Sequence, residues 1–488
     1  MRKSWAFSFE PLAHTDTGCK FELARLAQLA DVSSSARSSQ LAAHSFLMSI
    51  SPARQVAFDI LLRVDQHDAY SSELLHSHRL DGLASDDRGL ATELVMGVLR
   101  WRSRLDEDIV SVTARSTEKL DSEVLTALRL GAYQLRYLRI PAHAAINESV
   151  DLVKRARKRS AVPFANAVLR KLAAAQVEAA SEPEQWDSAS LARAFAHPQW
   201  LVERWTTVYG VERTRLLCQH DQEVPNVALR LDNASIEEEL KREGIELKPG
   251  ALLSSGRVVT SSDVFKTQAV QEGRAFIQDE ASQLVAALVG SGSRLLDCCA
   301  APGGKTAAIA ARNPTAEIIA AELHAHRAEL LRKRVPRENV QVIQADALNL
   351  PVEGKFDRVL ADVPCSGTGT LARNPEIKWR LKPEDLADLH SRQVGILAAA
   401  LRQLSSGGRA VYSTCSLERE ENEAVVEEVL QDAKDYRLLE CREELERLRS
   451  DGELVWSDVD SLLSGRFLRT LPGLHPCDGF FAAVIERQ

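Results

Sequence analysis

The stretch Leu295-Leu-Asp-Cys-Cys-Ala-Ala-Pro-Gly-Gly-Lys-Thr306 is the part of this chain that decides its fold. A short apolar run ends at Asp297, and small residues then lead into an alanine-rich segment, 306–311, that is typical of a helix. The pattern therefore predicts a buried strand, a tight turn and the start of a helix. Gly303 and Gly304 let the backbone approach a ligand closely, and the first free N–H groups of the helix point towards it.

Two well-known glycine loops are excluded at this turn. A P-loop requires a glycine five positions before Gly304, and the chain has Cys299 there. The dinucleotide fingerprint Gly-x-Gly-x-x-Gly is not matched by residues 300–305. An ordinary strand-to-helix turn without a ligand is the alternative that this stretch alone leaves open.

The composition is that of a soluble globular protein. The chain has 488 residues, of which 45% are hydrophobic and 27% are charged, and a prior of about 150 residues per domain suggests three domains. No apolar run approaches the roughly 20 residues of a membrane helix, and we find no signal-peptide pattern at the N-terminus. We therefore expect a cytoplasmic protein without a membrane partner. Its eight cysteines include no Cys-x-x-Cys pair, which argues against a zinc ribbon, and we predict no metal site.

The first 47 residues show no clear periodicity, and we expect them to be poorly ordered. Ser51 and Pro52 have the residue types of a helix N-cap and first helical position, and Met48 stands just before them. Met48 is therefore a candidate for the natural start of translation. A genuine N-terminal extension with a partner of its own is the competing interpretation.

Residues 48–176 predict an all-α bundle, because apolar residues recur at helical spacing and no strand-like alternation interrupts them. Between Val124 and Lys171 ten basic residues face only two acidic ones, although the whole chain has a net charge of −8. A patch of this kind favours contact with RNA phosphates, while a merely solvated face is the alternative. The RNA-binding residues predicted here are Arg155, Arg157, Lys158, Arg159, Arg170 and Lys171.

The remaining chain divides into a linker, a small module and a larger domain. We assign residues 177–198 to the linker, 199–268 to a small α/β module, and 269–488 to the larger domain. In the larger domain strands and helices alternate, which predicts a mainly parallel, Rossmann-like sheet with helices on both faces. Ligands of such sheets bind beyond the carboxyl ends of the strands.

Acidic residues follow two successive strands of this predicted sheet. Glu322 comes roughly 20 residues after the glycine turn, where an acid can accept hydrogen bonds from ribose hydroxyls. Asp346 ends the next strand and can accept from the amino group of an adenine. Each acid alone can also be a helix N-cap, but together they predict a nucleoside-bearing cofactor.

Two cysteines also follow strands, in Asp362-Val-Pro-Cys365-Ser-Gly-Thr-Gly and Ser413-Thr-Cys415-Ser. A reactive thiol requires nearby positive charge or helix termini, and Lys305 is the obvious cation. We interpret Cys218 and Cys441, by contrast, as small core residues.

The helical segments resemble the NusB-like RNA-binding domain, through Glu93-Leu-Val-Met-Gly-Val-Leu-Arg-Trp-Arg, Pro141-Ala-His-Ala-Ala-Ile-Asn-Glu-Ser-Val and Phe164-Ala-Asn-Ala-Val-Leu-Arg-Lys. The motifs at 297–306, 362–369 and 412–423, together with Arg373-Asn-Pro-Glu-Ile-Lys-Trp, resemble those of RNA cytosine-5 methyltransferases. With the NusB-like domain in front, the chain resembles the RsmB family, which methylates small-subunit ribosomal RNA. Glu322 stands where many relatives have Asp, which preserves the ribose-binding role.

The resemblance implies the cofactor S-adenosyl-L-methionine, a 16S ribosomal RNA substrate and a monomeric enzyme. It assigns the nucleophile to Cys415 and the breakdown of the covalent adduct to Cys365, with Asp362 and Lys305 beside the target base. The implied cofactor-binding residues are Cys299, Ala300, Ala301, Pro302, Gly303, Gly304, Lys305, Glu322, Asp346 and Asp362, and the further RNA contacts are Arg373, Lys378, Trp379 and Arg380.

Chemistry alone leaves some alternatives open. DNA cytosine methyltransferases use the cysteine of a Pro-Cys pair as nucleophile, so Cys365 is also a candidate for that role. A non-catalytic RNA-binding or antitermination factor on a methyltransferase fold, and a transfer RNA methyltransferase, are the competing functions.

Overall fold

The computed structural model describes residues 50–67, 69–175, 185–260 and 264–488. The predicted N-terminal extension, 1–47, lies outside them. Along these described ranges, no helix combines the length and the apolar character that a membrane span requires.

The predicted all-α part is a helical bundle with one continuous core. Its helices are α1 (Pro52–His67), α2 (Ser71–Leu75), α3 (Ser85–Arg100), α4 (Arg102–Thr113), α5 (Ser122–Tyr137), α6 (Ala142–Arg155) and α7 (Val162–Ala174). The apolar faces point inward, and Ile60, Leu94 and Leu128 have no exposed surface. Gly97 brings α3 against α5, since a Cβ at this position would lie 1.9 Å from the ring of Tyr133.

A second group of helices follows, comprising α8 (Ser188–Ala194), α9 (Gln199–Tyr209) and α10 (Val211–His220). Helix α8 lies within the stretch that we predicted to be a linker, 177–198. The Glu- and Ser-rich composition of this stretch did not predict a helix. In the fold, Asp187 and Ser190 form a capping box at the start of α8. Leu191 packs with Trp205 and with Leu371 of the larger domain in one apolar cluster. This stretch therefore has a packing role as well as a connecting one.

The small module is an antiparallel sheet with the order β2-β3-β1-β4. Its elements are β1 (Val227–Leu231), α11 (Ala234–Arg242), β2 (Leu247–Pro249), β3 (Gly256–Val259), α12 (Gln268–Gln271) and β4 (Ala275–Ile277). Strand β4 lies beyond the boundary that we predicted at residue 268, yet it pairs with β1, Leu229 opposite Ile277. Sequence alone did not reveal this, because the strand that completes the small sheet is only three residues long.

The larger domain contains a mixed sheet with the order β11-β12-β13-β9-β8-β5-β6-β7, and β10 pairs with β13. The elements are α13 (Glu280–Val289), β5 (Arg294–Asp297), α14 (Gly304–Arg312), β6 (Glu317–Glu322), α15 (Ala325–Arg334), β7 (Val340–Gln344), β8 (Phe356–Asp362), α16 (Ile377–Arg380), α17 (Asp385–Arg402), β9 (Leu404–Thr414), α18 (Glu423–Gln431), β10 (Tyr436–Leu438), α19 (Cys441–Ser450), β11 (Leu463–Ser464), β12 (Phe467–Arg469) and β13 (Phe481–Arg487). Strands β5 to β9 pair in parallel, as predicted. The antiparallel strand β13 was not predicted.

Helices cover both faces of this sheet. Leu295 packs in the cluster that contains α13, α14 and α19, whereas its neighbour Leu296 packs in the cluster that contains α17 and α18. Successive residues of a strand point to opposite faces, so each face has its own apolar layer. The predicted three-part architecture, with a helical bundle, a small α/β module and a Rossmann-like domain, is confirmed.

Residues 372–380, which we call the clasp, join the larger domain to the bundle. Glu376 accepts hydrogen bonds from the backbone N–H and the hydroxyl of Ser71, at 2.7 and 2.8 Å. Lys378 Nζ donates to the carbonyl of Arg100 at 3.1 Å, and Trp379 Nε1 donates to a carbonyl at the end of α3. The bundle is therefore held by several hydrogen bonds to one short segment.

These contacts correct part of the predicted RNA-binding set. Lys378 is only 1% exposed, and burial lowers its pKa to about 7. Arg380 donates to the carbonyls of Val64 and Ala69, each at 2.6 Å. Lys378 is therefore buried against the bundle and is not an open RNA contact. Trp379 and Arg380 bind the bundle but are partly exposed, so RNA contact through these two stays a prediction.

We expect Glu376→Ala to loosen the bundle. The change leaves the Ser71 N–H without its partner, and hydrogen bonds to a charged group contribute about 1.5–3 kcal/mol each. The variant should lower the midpoint of thermal unfolding and speed the tryptic release of the bundle. Glu73→Ala is the matched control, since Glu73 is an exposed glutamate of α2; equal shifts in both variants would contradict the role of the clasp.

Candidate active site

The glycine turn folds as the sequence predicts, between β5 and α14. Gly303 has φ of 109°, in the region that favours glycine. A Cβ there would lie 2.8 Å from both Leu331 and Val335. Both the positive φ and the lack of space for a Cβ therefore require glycine at residue 303. Gly304 is the first residue of α14, whose free N–H groups point into the space beyond the end of β5.

Asp297, at the end of β5, is a buried carboxyl group that is only half satisfied. Its Oδ2 accepts a hydrogen bond from Thr306 Oγ1 at 2.8 Å, while Oδ1 has no partner among the described residues. Burial raises the pKa of Asp297 to about 7, and the Thr306 hydrogen bond opposes this rise only in part. The group thus offers an acceptor for a donor of a bound molecule.

This burial predicts a pH-dependent stability. The folded-state pKa of Asp297 lies above the usual value of about 4, so ionisation costs free energy in the folded protein as pH rises from 4 to 7. The free energy of unfolding should fall over this range, with up to about 4 kcal/mol from this group. In Asp297→Asn that contribution is absent, so the variant gains stability relative to the wild type with rising pH. Urea unfolding at pH 4.5 to 8 measures the difference in the free energy of unfolding between Asp297→Asn and the wild type. The control variant Asp460→Asn, which changes an exposed carboxylate, should show the same pH dependence as the wild type.

Lys305 and Asp362 form an ion pair beside this carboxyl group. Lys305 Nζ lies 2.8 Å from Asp362 Oδ2, and Ser413 Oγ donates to Asp362 Oδ1 at 2.8 Å. Burial opposes the charged form of Lys305, but Asp362 outweighs it, so the pKa of Lys305 is raised. The ammonium group also lies 4.8 Å from the centre of the Phe480 ring. Lys305 is therefore a fixed cation at this edge of the sheet.

Cys365 and Cys415 meet directly, with their Sγ atoms 3.3 Å apart. The hydrogen bond to Cys415, together with burial, raises the pKa of Cys365 well above its ordinary value. The two thiols share one hydrogen bond, in which either sulfur can be the donor. Cys415 also contributes to the raised pKa of Lys305, so this thiol lies within electrostatic reach of that cation.

Glu421 joins the two cysteine-bearing loops, a role that sequence reasoning missed. Its side chain is fully buried and accepts from the Ser366 N–H at 2.8 Å and from Gln393 Nε2 at 2.9 Å. The hydroxyls of Ser366 and Ser416 also donate to it. The motif at 412–423 contains this residue. However, nothing in the sequence distinguishes the buried Glu421 from the other glutamates of the motif.

One cavity beside the cysteines, of about 300 Å³, has half of the predicted cofactor residues in its wall. Its lining includes Cys299, Ala301, Glu322, Asp346, Asp362, Cys365 and Cys415. Glu322 and Asp346 each accept one hydrogen bond from a following backbone N–H, at 2.9 and 3.0 Å. Neither acid is a helix N-cap, because His324 has that position at α15 and the next element after Asp346 is β8. The second carboxylate oxygen of Glu322 lies 3.9 Å from Arg327, at the wall of the cavity.

A second cavity, of about 270 Å³, shares Cys299, Ala301 and Asp362 with the first. Its other lining residues include Gln278, Asp279, Asp297, Ala300, Pro302, Gly304, Lys305, Arg373, Asp478 and Phe480. Gln278, Asp478 and Phe480 were not predicted, because they lie in stretches far from the motifs. The two cavities meet at Asp362, so two ligands can face each other across this carboxylate.

Arg373 is an internal bridge rather than a surface contact. Its guanidinium group bonds Asp478 at 2.8 Å, Asp279 at 3.1 Å and the carbonyl of Asn226 at 3.1 Å. These partners come from three separate parts of the chain, and Asp478 is close in sequence to Phe480. The predicted RNA contact through Arg373 is therefore replaced by a role in holding the wall of the second cavity.

The basic patch of the bundle is smaller than the sequence count suggests. Arg129 and Arg136 are in ion pairs with Asp106 and Asp108, at 2.7 and 3.0 Å. Two of the predicted RNA-binding residues are also in ion pairs: Arg155 with Asp59, and Lys158 with Asp121. The exposed members of the predicted set are Arg155, Arg157, Arg159, Arg170 and Lys171. Contact of this surface with RNA stays a prediction.

Comparisons with known proteins agree with this architecture. Family models match residues 288–486 ("16S rRNA methyltransferase RsmB/F"), 51–174 ("NusB family") and 197–262 ("Methyltr_RsmF/B-like, ferredoxin-like domain"). The chain is 32% identical to a probable ribosomal RNA small subunit methyltransferase B of Bacillus subtilis, over 89% of this chain and 98% of that protein. It is 31% identical to the ribosomal RNA small subunit methyltransferase B of Vibrio cholerae, over 82% and 90% of the two chains.

Two solved structures share the fold. The crystal structure of PH0851 matches with a TM-score of 0.74 at 22% identity, over 90% of this chain and 100% of that one. A methyltransferase homolog protein from Pyrococcus horikoshii matches with a TM-score of 0.51 at 24% identity, over 62% and 99%. The fold of the whole described chain thus has a precedent.

Proposed function

Because the chain belongs to the RsmB family, with an N-terminal NusB-like domain, we propose that it methylates carbon 5 of a specific cytosine in 16S ribosomal RNA. The cofactor of this proposal is S-adenosyl-L-methionine. The observation that carries the proposal is the pair of thiols 3.3 Å apart beside the Lys305–Asp362 ion pair. Ribosomal RNA as the substrate is supported by the names of the relatives.

The two adjoining cavities fit a donor and an acceptor of the methyl group. Glu322 and Asp346 would hold the ribose and adenine of the cofactor, and the glycine turn would hold its methionine part. The bound cofactor supplies an electrophilic methyl group. The target cytosine would lie where the two cavities join, because Asp362, which lines both, can accept a hydrogen bond from its amino group there, and Cys365 and Cys415 line the adjoining wall of the first cavity. A base inside a duplex cannot reach this depth, so the cytosine must be unpaired or flipped out.

The thiol pair supplies the activation that carbon 5 requires. The Cys415 thiolate adds to carbon 6, and the electron pair displaced onto carbon 5 makes that carbon nucleophilic. Lys305 stabilises the negative charge that develops on the base. After carbon 5 is methylated, a base removes its proton, the ring double bond re-forms, and Cys415 leaves as a thiolate. Cys365 would stabilise this departing thiolate by donating the hydrogen bond between the two Sγ atoms, which lie 3.3 Å apart.

The direct test is methylation of a small-subunit ribosomal RNA transcript by the purified protein with S-adenosyl-L-methionine, followed by bisulfite sequencing. We expect one new 5-methylcytosine in the transcript, and loss of the same mark from the RNA of a deletion strain. Binding of RNA without any methylation would instead favour the non-catalytic RNA-binding factor. A mark in transfer RNA alone would favour the other enzyme class.

A further inference from the structure

Tyr70 is a half-exposed aromatic residue at the junction between the bundle and the larger domain. It precedes α2 at the N-cap position, where small polar residues are usual, and its side chain does not cap the helix. The residue is 47% exposed, so its ring is not a core residue either. Neither helix capping nor core packing therefore explains why an aromatic residue stands at this position.

The clasp fixes Tyr70 in place from both sides. The next residue, Ser71, makes its two hydrogen bonds to Glu376, and the preceding carbonyl, that of Ala69, accepts from Arg380 at 2.6 Å. The guanidinium carbon of Arg380 also lies 5.8 Å from the centre of the Tyr70 ring. The ring is thus positioned before any ligand arrives, so little conformational entropy is lost when it binds one.

The same segment leads directly to the catalytic cysteines. Gly367, two residues after Cys365, lies so close to Ile377 of the clasp that a Cβ would be 2.9 Å from its side chain. Tyr70 and the loop that carries Cys365 therefore contact the same short segment, although they belong to different domains.

We infer that Tyr70 is a stacking platform for a base of the RNA strand next to the target cytosine. This inference rests on the proposed function, in which a flipped cytosine reaches Cys415. Flipping removes the stacking partner of the neighbouring base, and an exposed tyrosine ring that the clasp holds in place next to the Cys365 loop can replace it. The bundle then contributes to the active site itself, in addition to any contact of its basic face with RNA phosphates. Tyr70 is a positioning residue for the substrate, since it touches the RNA beside the reacting base.

The test compares Tyr70→Leu, which removes the aromatic face, with Tyr70→Phe, which removes only the hydroxyl. Stacking on an aromatic ring contributes enough that Tyr70→Leu should raise the KM for a small-subunit RNA transcript by about 5- to 100-fold. Tyr70→Phe should stay within about twofold of the wild type, and the KM for S-adenosyl-L-methionine should be unchanged in both. A merely structural role would instead lower thermal stability or cofactor affinity together with RNA binding.

A second measurement separates this inference from the proposed function. In the Cys415→Ala background, the Kd for the same transcript is measured by fluorescence anisotropy, with Tyr70 intact or replaced by Leu. A rise of about 5-fold or more supports the platform even in the absence of methyl transfer. Equal Kd values with and without the ring would overturn it, and so would equal losses in Tyr70→Phe and Tyr70→Leu.

Discussion

Cys415→Ala is expected to abolish methyl transfer, with a loss of about 10³-fold or more. In the proposed mechanism the thiolate of Cys415 makes carbon 5 of the cytosine nucleophilic, and removing a covalent nucleophile leaves only binding and electrostatic contributions. The Sγ atom of Cys365 lies only 3.3 Å from that of Cys415, but the proposal gives Cys365 a role in the breakdown of the adduct, so we do not expect it to replace Cys415 as the nucleophile. Transfer of radiolabelled methyl groups to small-subunit RNA measures the effect.

The control for this prediction is Cys441→Ala, which removes a buried thiol of α19 that lies in the apolar core. This variant should keep its methyl transfer activity. Cys415→Ala should still bind S-adenosyl-L-methionine by calorimetry, because the thiol is only one of many groups that line that cavity. Methylation that survives in Cys415→Ala would assign the nucleophile to Cys365 instead.

Cys365→Ala is expected to trap the enzyme on its RNA. Without the hydrogen bond from Cys365, the departing Cys415 thiolate is a poorer leaving group, so elimination slows after the methyl group has been transferred. A protein–RNA adduct should therefore accumulate and survive denaturing gel electrophoresis. The adduct should require S-adenosyl-L-methionine and should contain one methyl group per RNA.

The double variant Cys365→Ala/Cys415→Ala tests which thiol is attached. It should form no adduct, because the attacking sulfur is absent. If Cys415→Ala alone accumulates an adduct and Cys365→Ala does not, the two roles are reversed. Since the pairing depends on one sulfur–sulfur contact, these variants decide the order of the chemistry without any further structural information.

Much of the fold was predictable because its signals are local. The strand-turn-helix at 295–306 follows from a short apolar run, two glycines and an alanine-rich helix. The alternation of strands with helices required a parallel sheet, and the carboxyl ends of its strands had to meet at one edge. The sequence pattern therefore predicts that Glu322, Asp346, Cys365 and Cys415 lie near one another. The helical faces of the bundle followed from periodicity in the same way.

Other parts of the site depend on contacts between distant segments, and local patterns do not encode them. The basic and aromatic composition of residues 373–380 predicts an RNA-binding surface. In the fold, side chains of this segment bond Ser71, Arg100 and Asp478. Glu421 resembles its acidic neighbours Glu420 and Glu423 in sequence, but in the fold it is fully buried between two cysteine loops.

The sequence by itself determined the alternation of strands and helices in the parallel sheet and the chemical groups at the sheet edge. Only the tertiary structure decided which cation faces which acid, which two thiols are in contact, and which domain supplies Tyr70. The physical reason is that hydrogen bonding and burial set the charge and exposure of a side chain, and both depend on residues that the fold brings together from far apart in the chain.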